Sequence, residues 1–543
     1  MNQTRRSGYG KSGLATALAL LAGALAVYKR IPLTNRIGDN GNAYFGMACD
    51  IFLFFFLLCG YASQTVVAQM AAARCARGQY RNTRRVWNTA IFYAAVSGVA
   101  GSVLLLSLAD ILAAGLLRTQ EAAFVVRCMA PFVLAASLTG AFRGYFQGMG
   151  SMVPTAFSRL AEELSGILFM FLLVPGMAEY GKKVGALLFQ PDYEQAFGAG
   201  GAALAFGLGS LICLLLLAVL YVLFQGSFRR RERKDTGKAT EDYGSIGRRI
   251  AGMALPVVVT GFVMEGSFIL DQVFFMRLMP SGTEAAVQWG IYTGKYRILA
   301  SVPAMLAAAA CTGLIPSLSV SFSGMNAGRM REKAFLMLKL SAALSLPFAV
   351  WFAVMADSLI PALFTVGDME TAARLLRTGS VSMVLQALAV GTACILKGFR
   401  QDRLLLAASA VSLILHVILL SIFLGSLGMG TDGVIWAVTG LYGVFAAIGI
   451  FFALRAGSLR GDWGRLIGIP AISCAVMGLV VFLMNRFLSA LLDGKVLCLL
   501  CFAAGTVVYV LLMLSLRGLS QRELKSVPGG GALLALGRFF RFY

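Results

Sequence analysis

A handful of ionisable side chains fall inside otherwise apolar sequence. A charge at mid-bilayer costs about 2.5 to 3.5 kcal/mol, so each needs a partner, a wet cavity or a route to the interface. Lys295 and Arg297 stand in WGIYTGKYRILASV. With a rise of about 1.5 Å per residue from Val287, Lys295 is about 12 Å deep, near the middle of a core about 30 Å thick. Two residues on, Arg297 points about 200° around the helix, so the two cations cannot share a face. Glu265, on the preceding apolar run, comes within a turn or two of the same depth. Two readings stay open there. One is a static ion pair of Glu265 with Lys295 or Arg297; the other is a switch in which an arriving anion takes the cation and frees the carboxylate for a proton or sodium ion. Asp271 is either a coupling site or a structural partner of Arg277.

Other charges have plainer alternatives. Lys29 and Arg30 end the first apolar run, where long cationic stems snorkel to the interface. Turned inward instead, the planar guanidinium of Arg30 fits phosphate oxygens in bidentate fashion. Arg127 lies six residues beyond Glu121, which favours snorkelling or local pairing over ligand binding. Glu162 and Glu163 are expected to pair with Arg159 or Arg143. His416 is the only histidine, either a proton relay or a hydrogen-bonded link between helices. Cys498 and Cys501 lie in an apolar run and read as small buried hydrophobes, not as metal ligands. No catalytic residues are expected: with one histidine and no acid–base pair beyond the Glu162–Glu163 doublet, a membrane-embedded enzyme is disfavoured. No G-x-x-x-x-G-K-S/T loop is present for ATP, so no cofactor is expected and any drive is assigned to a sodium ion, a proton or the membrane potential.

The elements that must hold these residues are transmembrane helices. Hydrophobic residues make up 58% of 543 and charged residues 13%, which excludes an ordinary soluble domain. Mean hydropathy is +0.78. Breaks at Gly, Pro and charge clusters separate fourteen apolar runs, near 12–31, 43–67, 87–109, 122–141, 154–175, 198–224, 250–271, 287–311, 334–356, 378–396, 404–424, 432–454, 465–485 and 494–515. The first run, with its basic start and Ala24-Leu25-Ala26, resembles a signal peptide; Lys29 and Arg30 following at once argue against cleavage. Trp289, Trp351, Trp436 and Trp463 are expected in interfacial belts, and the many glycines, such as Gly144 and Gly148, in close helix packing.

The net charge of +22 comes from short clusters between runs, not from a basic arm, so a nucleic-acid partner is not expected. Alternate loops differ about three-fold in Lys and Arg, which puts both termini in the cytoplasm. The basic stretch around Arg229, Arg230, Arg231, Arg233 and Lys234 reads as a linker. The expected organisation is an all-α polytopic protein with a six-helix lobe at 1–228, a cytoplasmic linker at 229–249, a second six-helix lobe at 250–456, and two additional helices with a basic tail at 457–543. A short repeat supports the halves: Arg143-Gly144-Tyr145-Phe146-Gln147 recurs as Lys397-Gly398-Phe399-Arg400-Gln401, 254 residues on. Two similar halves around a midplane site are common in secondary transporters.

The run YKRIPLTNRIGDNGNAY from Tyr28 to Tyr44 resembles the first-span exit of the stage V sporulation protein B-like polysaccharide transport proteins. So does GYFQGMGSMVPTAFSRLAEE, where Gly144, Gln147, Gly148, Met152, Pro154, Thr155, Ser158 and Glu162 look like that family's signature. Asp271 and Arg277, Gly294, Pro303 and LIPSLS at 314–319 agree as well. The resemblance implies the multidrug/oligosaccharidyl-lipid/polysaccharide exporter superfamily, with its lipid II and O-antigen flippases, and hence two six-helix lobes around a central cavity open alternately to each side. His416 stands where relatives commonly carry Asn, Gly166 where an Arg often follows, and Lys295 and Arg297 at positions expected to be apolar.

The function expected is therefore an alternating-access flippase for a lipid-linked oligosaccharide or peptidoglycan precursor with an anionic pyrophosphate head, in the bacterial cytoplasmic membrane. Arg30, Lys295, Arg297 and Arg127 are its candidate substrate-binding cations, and Glu265, Asp271 and His416 its candidate coupling or pairing groups. A cation-coupled multidrug antiporter would want acidic cavity residues, against the excess of cations. A non-transporting scaffold for envelope-synthesis enzymes is a further alternative, and such enzymes are candidate partners.

Overall fold

The computed structural model describes the backbone of residues 2–542 apart from 117, 234, 236–239, 280–282, 324–326, 456–463 and 527–529. Side chains are further left undescribed at 2–13, 116, 264–265, 283, 316, 323, 327 and 526. The described chain is all-helical. By its contacts it divides into two compact units, Met1–Gly290 and Ile291–Tyr543.

The first unit contains α1 (Asn2–Phe56), α2 (Ala62–Cys75), α3 (Tyr80–Asp110), α4 (Ala122–Met129), α5 (Phe132–Gly148), α6 (Val153–Leu188), α7 (Tyr193–Arg233), α8 (Tyr243–Glu265) and α9 (Ser267–Leu278). α10 (Thr283–Ile291) runs up to the boundary. The second unit contains α11 (Arg297–Thr312), α12 (Ile315–Ser323), α13 (Ala327–Leu363), α14 (Met369–Thr378), α15 (Ser380–Gly398), α16 (Asp402–Leu420), α17 (Gly430–Arg455), α18 (Ile469–Leu488) and α19 (Gly494–Ser515), then the short α20 (Gln521–Ser526) and α21 (Gly530–Phe539).

Among the described residues 11 helices are long and apolar enough to cross a membrane, or 12 when the bent pair α4 and α5 counts as one span. The difference from fourteen runs has two sources. One candidate, Leu14–Cys75, is 62 residues long. At about 1.5 Å per residue that is enough for two passes of a core about 30 Å thick. It is broken at Gly38, whose φ of 67° suits glycine, and Asn42 Nδ2 donates to the Gly38 carbonyl at 2.7 Å, satisfying an acceptor the break exposes. The other source is the run at 287–311, which is cut into α10, a π-turn at Tyr292–Tyr296 and α11, none of them long enough alone. Hydropathy cannot see either break.

The basic linker is stapled to the first unit by its few acids. The Glu241 carboxylate accepts from Arg74 Nε at 3.0 Å and Nη2 at 2.5 Å, and its backbone carbonyl accepts from Arg85. Asp235 accepts from the Arg81 amide, and Glu232 pairs with Arg84 at 3.0 Å. These contacts carry α8 into the first unit, whereas the sequence reading starts a second lobe at residue 250.

The repeated motif has the same local structure in both units, in a different register. α5 ends with the Gly150 amide donating to Gln147 and Ser151 to Phe146; α15 ends with Arg400 donating to Lys397 and Gln401 to Leu396. Both are Schellman caps with a left-handed residue, Gly150 at φ 84° and Arg400 at φ 53°. Gly148 thus corresponds to Gly398, an offset four residues shorter than the sequence match.

The tryptophan expectation is corrected in part. Trp289 is fully buried against Phe275, with ring centroids 5.2 Å apart, and Trp351 packs on Phe502 at 5.2 Å, so neither belongs to an interfacial belt. Trp436 is exposed, and Trp463 lies outside the described residues.

Candidate functional site

α1 continues past residue 31 to its break at Gly38, so Lys29 and Arg30 do not end a helix. They lie about 13 Å before the break. Both line a cavity of about 220 Å³ inside the first unit, walled by α1, α6 and α7. Phe45 lies beneath Arg30, its ring centroid 4.5 Å from the guanidinium carbon, and Phe206 lies 5.7 Å from the Lys29 ammonium. Aromatic faces at these distances stabilise a cation.

The opposite wall is α6, and it carries Glu163. Its Oε2 lies 2.5 Å from Lys29 Nζ, with both side chains about four-fifths shielded from solvent. Spacing along the chain points Glu163 to Arg159 or Arg143; a partner 134 residues away on another helix leaves no mark in local spacing. Gly166 completes the wall. A Cβ built there meets only Lys29 Nζ, at 3.7 Å, so the missing side chain leaves the ammonium accessible from the cavity. α7 comes close enough to close the hollow because it is glycine-rich: a Cβ on Gly209 would stand 2.8 Å from the Glu162 carbonyl oxygen.

Glu162 faces the other way. Its Oε2 accepts from Arg143 Nη2 at 2.7 Å, as one of the expected pairings, and Arg143 Nε donates to Ser158 Oγ at 3.2 Å. Arg143 Nη2 also lies 3.1 Å from Cys213 Sγ. Ser158 donates to the Thr155 carbonyl, Pro154 occupies the first turn of α6, and Gln147 Nε2 reaches Thr155 Oγ1 at 3.5 Å. Gly144 lets α5 meet α2, since a Cβ there would be 2.5 Å from the Gln64 carbonyl oxygen, and Gly148 does the same against Ala71. The signature residues therefore build the α5–α6 corner that holds Glu163 over the cavity.

The remaining candidates lie elsewhere. Arg127 does not line the cavity; it pairs with Asp110 at 2.5 Å, with both side chains half exposed. Lys295 is fully buried on its π-turn in the second unit, while Arg297, one step into α11, is half-buried. Asp271 is buried on α9 while Arg277 is exposed, and His416 is fully buried on α16. Glu265 ends α8, and its side chain lies outside the described residues. Cys498 and Cys501 are buried free thiols.

The family model "Polysaccharide biosynthesis protein" matches residues 10–322. The chain is 21% identical over 539 residues to stage V sporulation protein B of Bacillus subtilis (strain 168), covering 95% of this chain and 97% of that protein. It is 22% identical over 409 residues to the lipid II flippase MurJ of the same organism, covering 72% of each. Among solved structures it is similar to a lipid II flippase MurJ in an inward closed conformation, with TM-score 0.66 at 12% identity over 93% of this chain and 98% of that one. A multidrug resistance transporter of the MOP superfamily in an inward-facing conformation gives TM-score 0.62 at 18% identity, over 82% and 95%.

Proposed function

Because the chain belongs to the polysaccharide biosynthesis protein family, we propose that it is a flippase that moves a lipid-linked oligosaccharide or peptidoglycan precursor across the bacterial cytoplasmic membrane. Such a substrate presents one difficulty. Its pyrophosphate and sugars must cross hydrocarbon while its lipid tail stays in the bilayer. The observation that carries the reading is the cavity with Lys29 and Arg30 side by side on α1 and, among the described lining residues, one acid, Glu163. Guanidinium binds pyrophosphate oxygens in a planar two-point contact, and Phe45 fixes the plane from behind. The apolar remainder of the wall costs nothing to the lipid.

Translocation then needs no covalent step and no catalytic residue. The site opens to one side and then the other, and net direction comes from the membrane potential or from a sodium or proton gradient. Lys295 and Arg297 are proposed to serve the head during that exchange, with Asp271 and His416 as candidate coupling groups.

The test is translocation of a fluorescent lipid-linked precursor in proteoliposomes by wild type, Arg30→Ala and Lys295→Ala. Loss of transport in Arg30→Ala is expected. Undiminished transport by both variants would defeat the cationic site, and efflux of cationic dyes would favour an antiporter of the same fold.

A further inference from the structure

The Lys29–Glu163 pair occupies the place in the cavity where an anionic head would have to bind. From this geometry we infer that Glu163 is an internal stand-in for the substrate's phosphate: an arriving pyrophosphate displaces its carboxylate from Lys29, the carboxylate swings to Arg159, and on release it returns. This rests on the flippase reading and adds to it the device that empties the site.

Three observations support it. First, the pair borders the cavity: both side chains line it, and Gly166 sets no side chain between the ammonium and the hollow. Second, the carboxylate has somewhere to go. Arg159 precedes Glu163 by four residues on α6, which puts both on one helix face, and it is exposed, with the carboxylates of Glu162 and then Glu163 within electrostatic range. Arg before Glu at this spacing is the weaker order of a helical ion pair, so Lys29 holds the carboxylate until an anion competes for it. Third, the other charges near Glu163 are already engaged. Arg143 on α5 holds Glu162, Arg30 on α1 lies on Phe45, and α7 contributes only Ala202, Ala205 and Phe206 to the cavity wall.

With the pair closed, Glu163 offsets the charge of Lys29; with the carboxylate moved to Arg159, the Lys29 charge is released to the pyrophosphate. A site that kept both cations open at all times would bind its substrate more tightly and release it more slowly. The internal carboxylate trades affinity for turnover.

The experiment measures binding of undecaprenyl pyrophosphate, and separately of inorganic pyrophosphate, to the full chain in lipid nanodiscs, alongside translocation in proteoliposomes. Glu163→Gln is expected to bind the lipid pyrophosphate on the order of tenfold more tightly, a difference of about 1.4 kcal/mol, and to turn over more slowly. Glu163→Ala removes the same charge and is expected to give the same gain, so the inference does not hang on the folding of one variant. Arg159→Gln should weaken binding in the wild-type background and have no effect beside Glu163→Gln. Wild type that translocates the precursor while neither Glu163 variant binds more tightly overturns the exchange alone. An Arg159→Gln effect of equal size in both backgrounds overturns the swing to Arg159. A gain confined to inorganic pyrophosphate overturns the lipid-linked form of the site. A wild type that neither binds nor translocates the lipid overturns the flippase reading and the exchange with it.

Discussion

At the scale of single residues, two adjacent glutamates on α6 do different work because a step of about 100° turns them to different neighbours. Glu162 holds the buried Arg143 and Glu163 meets Lys29 across the cavity. Removing one partner of a buried pair leaves an uncompensated charge, at a cost of about 3 to 5 kcal/mol. Arg143→Ala should therefore lower the thermal midpoint in detergent markedly. Glu162→Gln keeps a hydrogen-bond acceptor but leaves the buried Arg143 charge without a counter-charge, and should lower it comparably. Equal and negligible effects would show that the α5–α6 corner does not depend on this pair. Of these contacts, Glu162 with Arg143 was legible in the sequence, because a motif supplied both residues within about five helical turns. Lys29 with Glu163 was not, since nothing in local spacing joins the first apolar run to the fifth. Charge marks Lys29 and Arg30 as the end of an apolar run, whereas the helix itself continues to the glycine at residue 38, whose backbone conformation permits the break.

At the scale of elements, caps and breaks set where charged residues fall. α14 is started by Asp368, whose side chain accepts from the Thr371 amide at 3.0 Å. Hydrogen bonding by Thr371 holds the Asp368 carboxyl below its ordinary range, with the Glu370 amide and the Lys295 charge adding to the effect. Since the folded value lies below the unfolded one, the cap contributes fully at neutral pH, and its contribution is lost as pH falls from the ordinary carboxylate range through the folded value. Asp368→Ala should cost about 1 kcal/mol at neutral pH, read as a lower thermal midpoint, and Asp368→Asn far less. The Asp368→Ala deficit should shrink in acid; a deficit that does not change with pH would contradict the cap. Span positions were readable from hydropathy because apolar runs of this length have few other uses. The π-turn at Tyr292–Tyr296 and the acids that staple the linker were not, because a net count of cations hides the three carboxylates, Glu232, Asp235 and Glu241, that decide where a basic segment docks.

At the scale of the whole molecule, the charge asymmetry of the loops carries the topology. In a cysteine-free background, Thr240→Cys and Arg522→Cys should be labelled by an impermeant thiol reagent only after the membrane is opened, and Gln190→Cys in intact cells. Labelling in the reverse order would invert the orientation. The central claim is that cations on α1 receive a phosphorylated head. The most direct measurement is the initial rate of precursor flipping in proteoliposomes for wild type, the double variant Lys29→Gln/Arg30→Gln, and Lys183→Gln, which removes only an exposed surface cation paired with Glu179. The double variant should lose at least tenfold in rate while Lys183→Gln matches wild type. A double variant that flips the precursor at the wild-type rate would contradict the account.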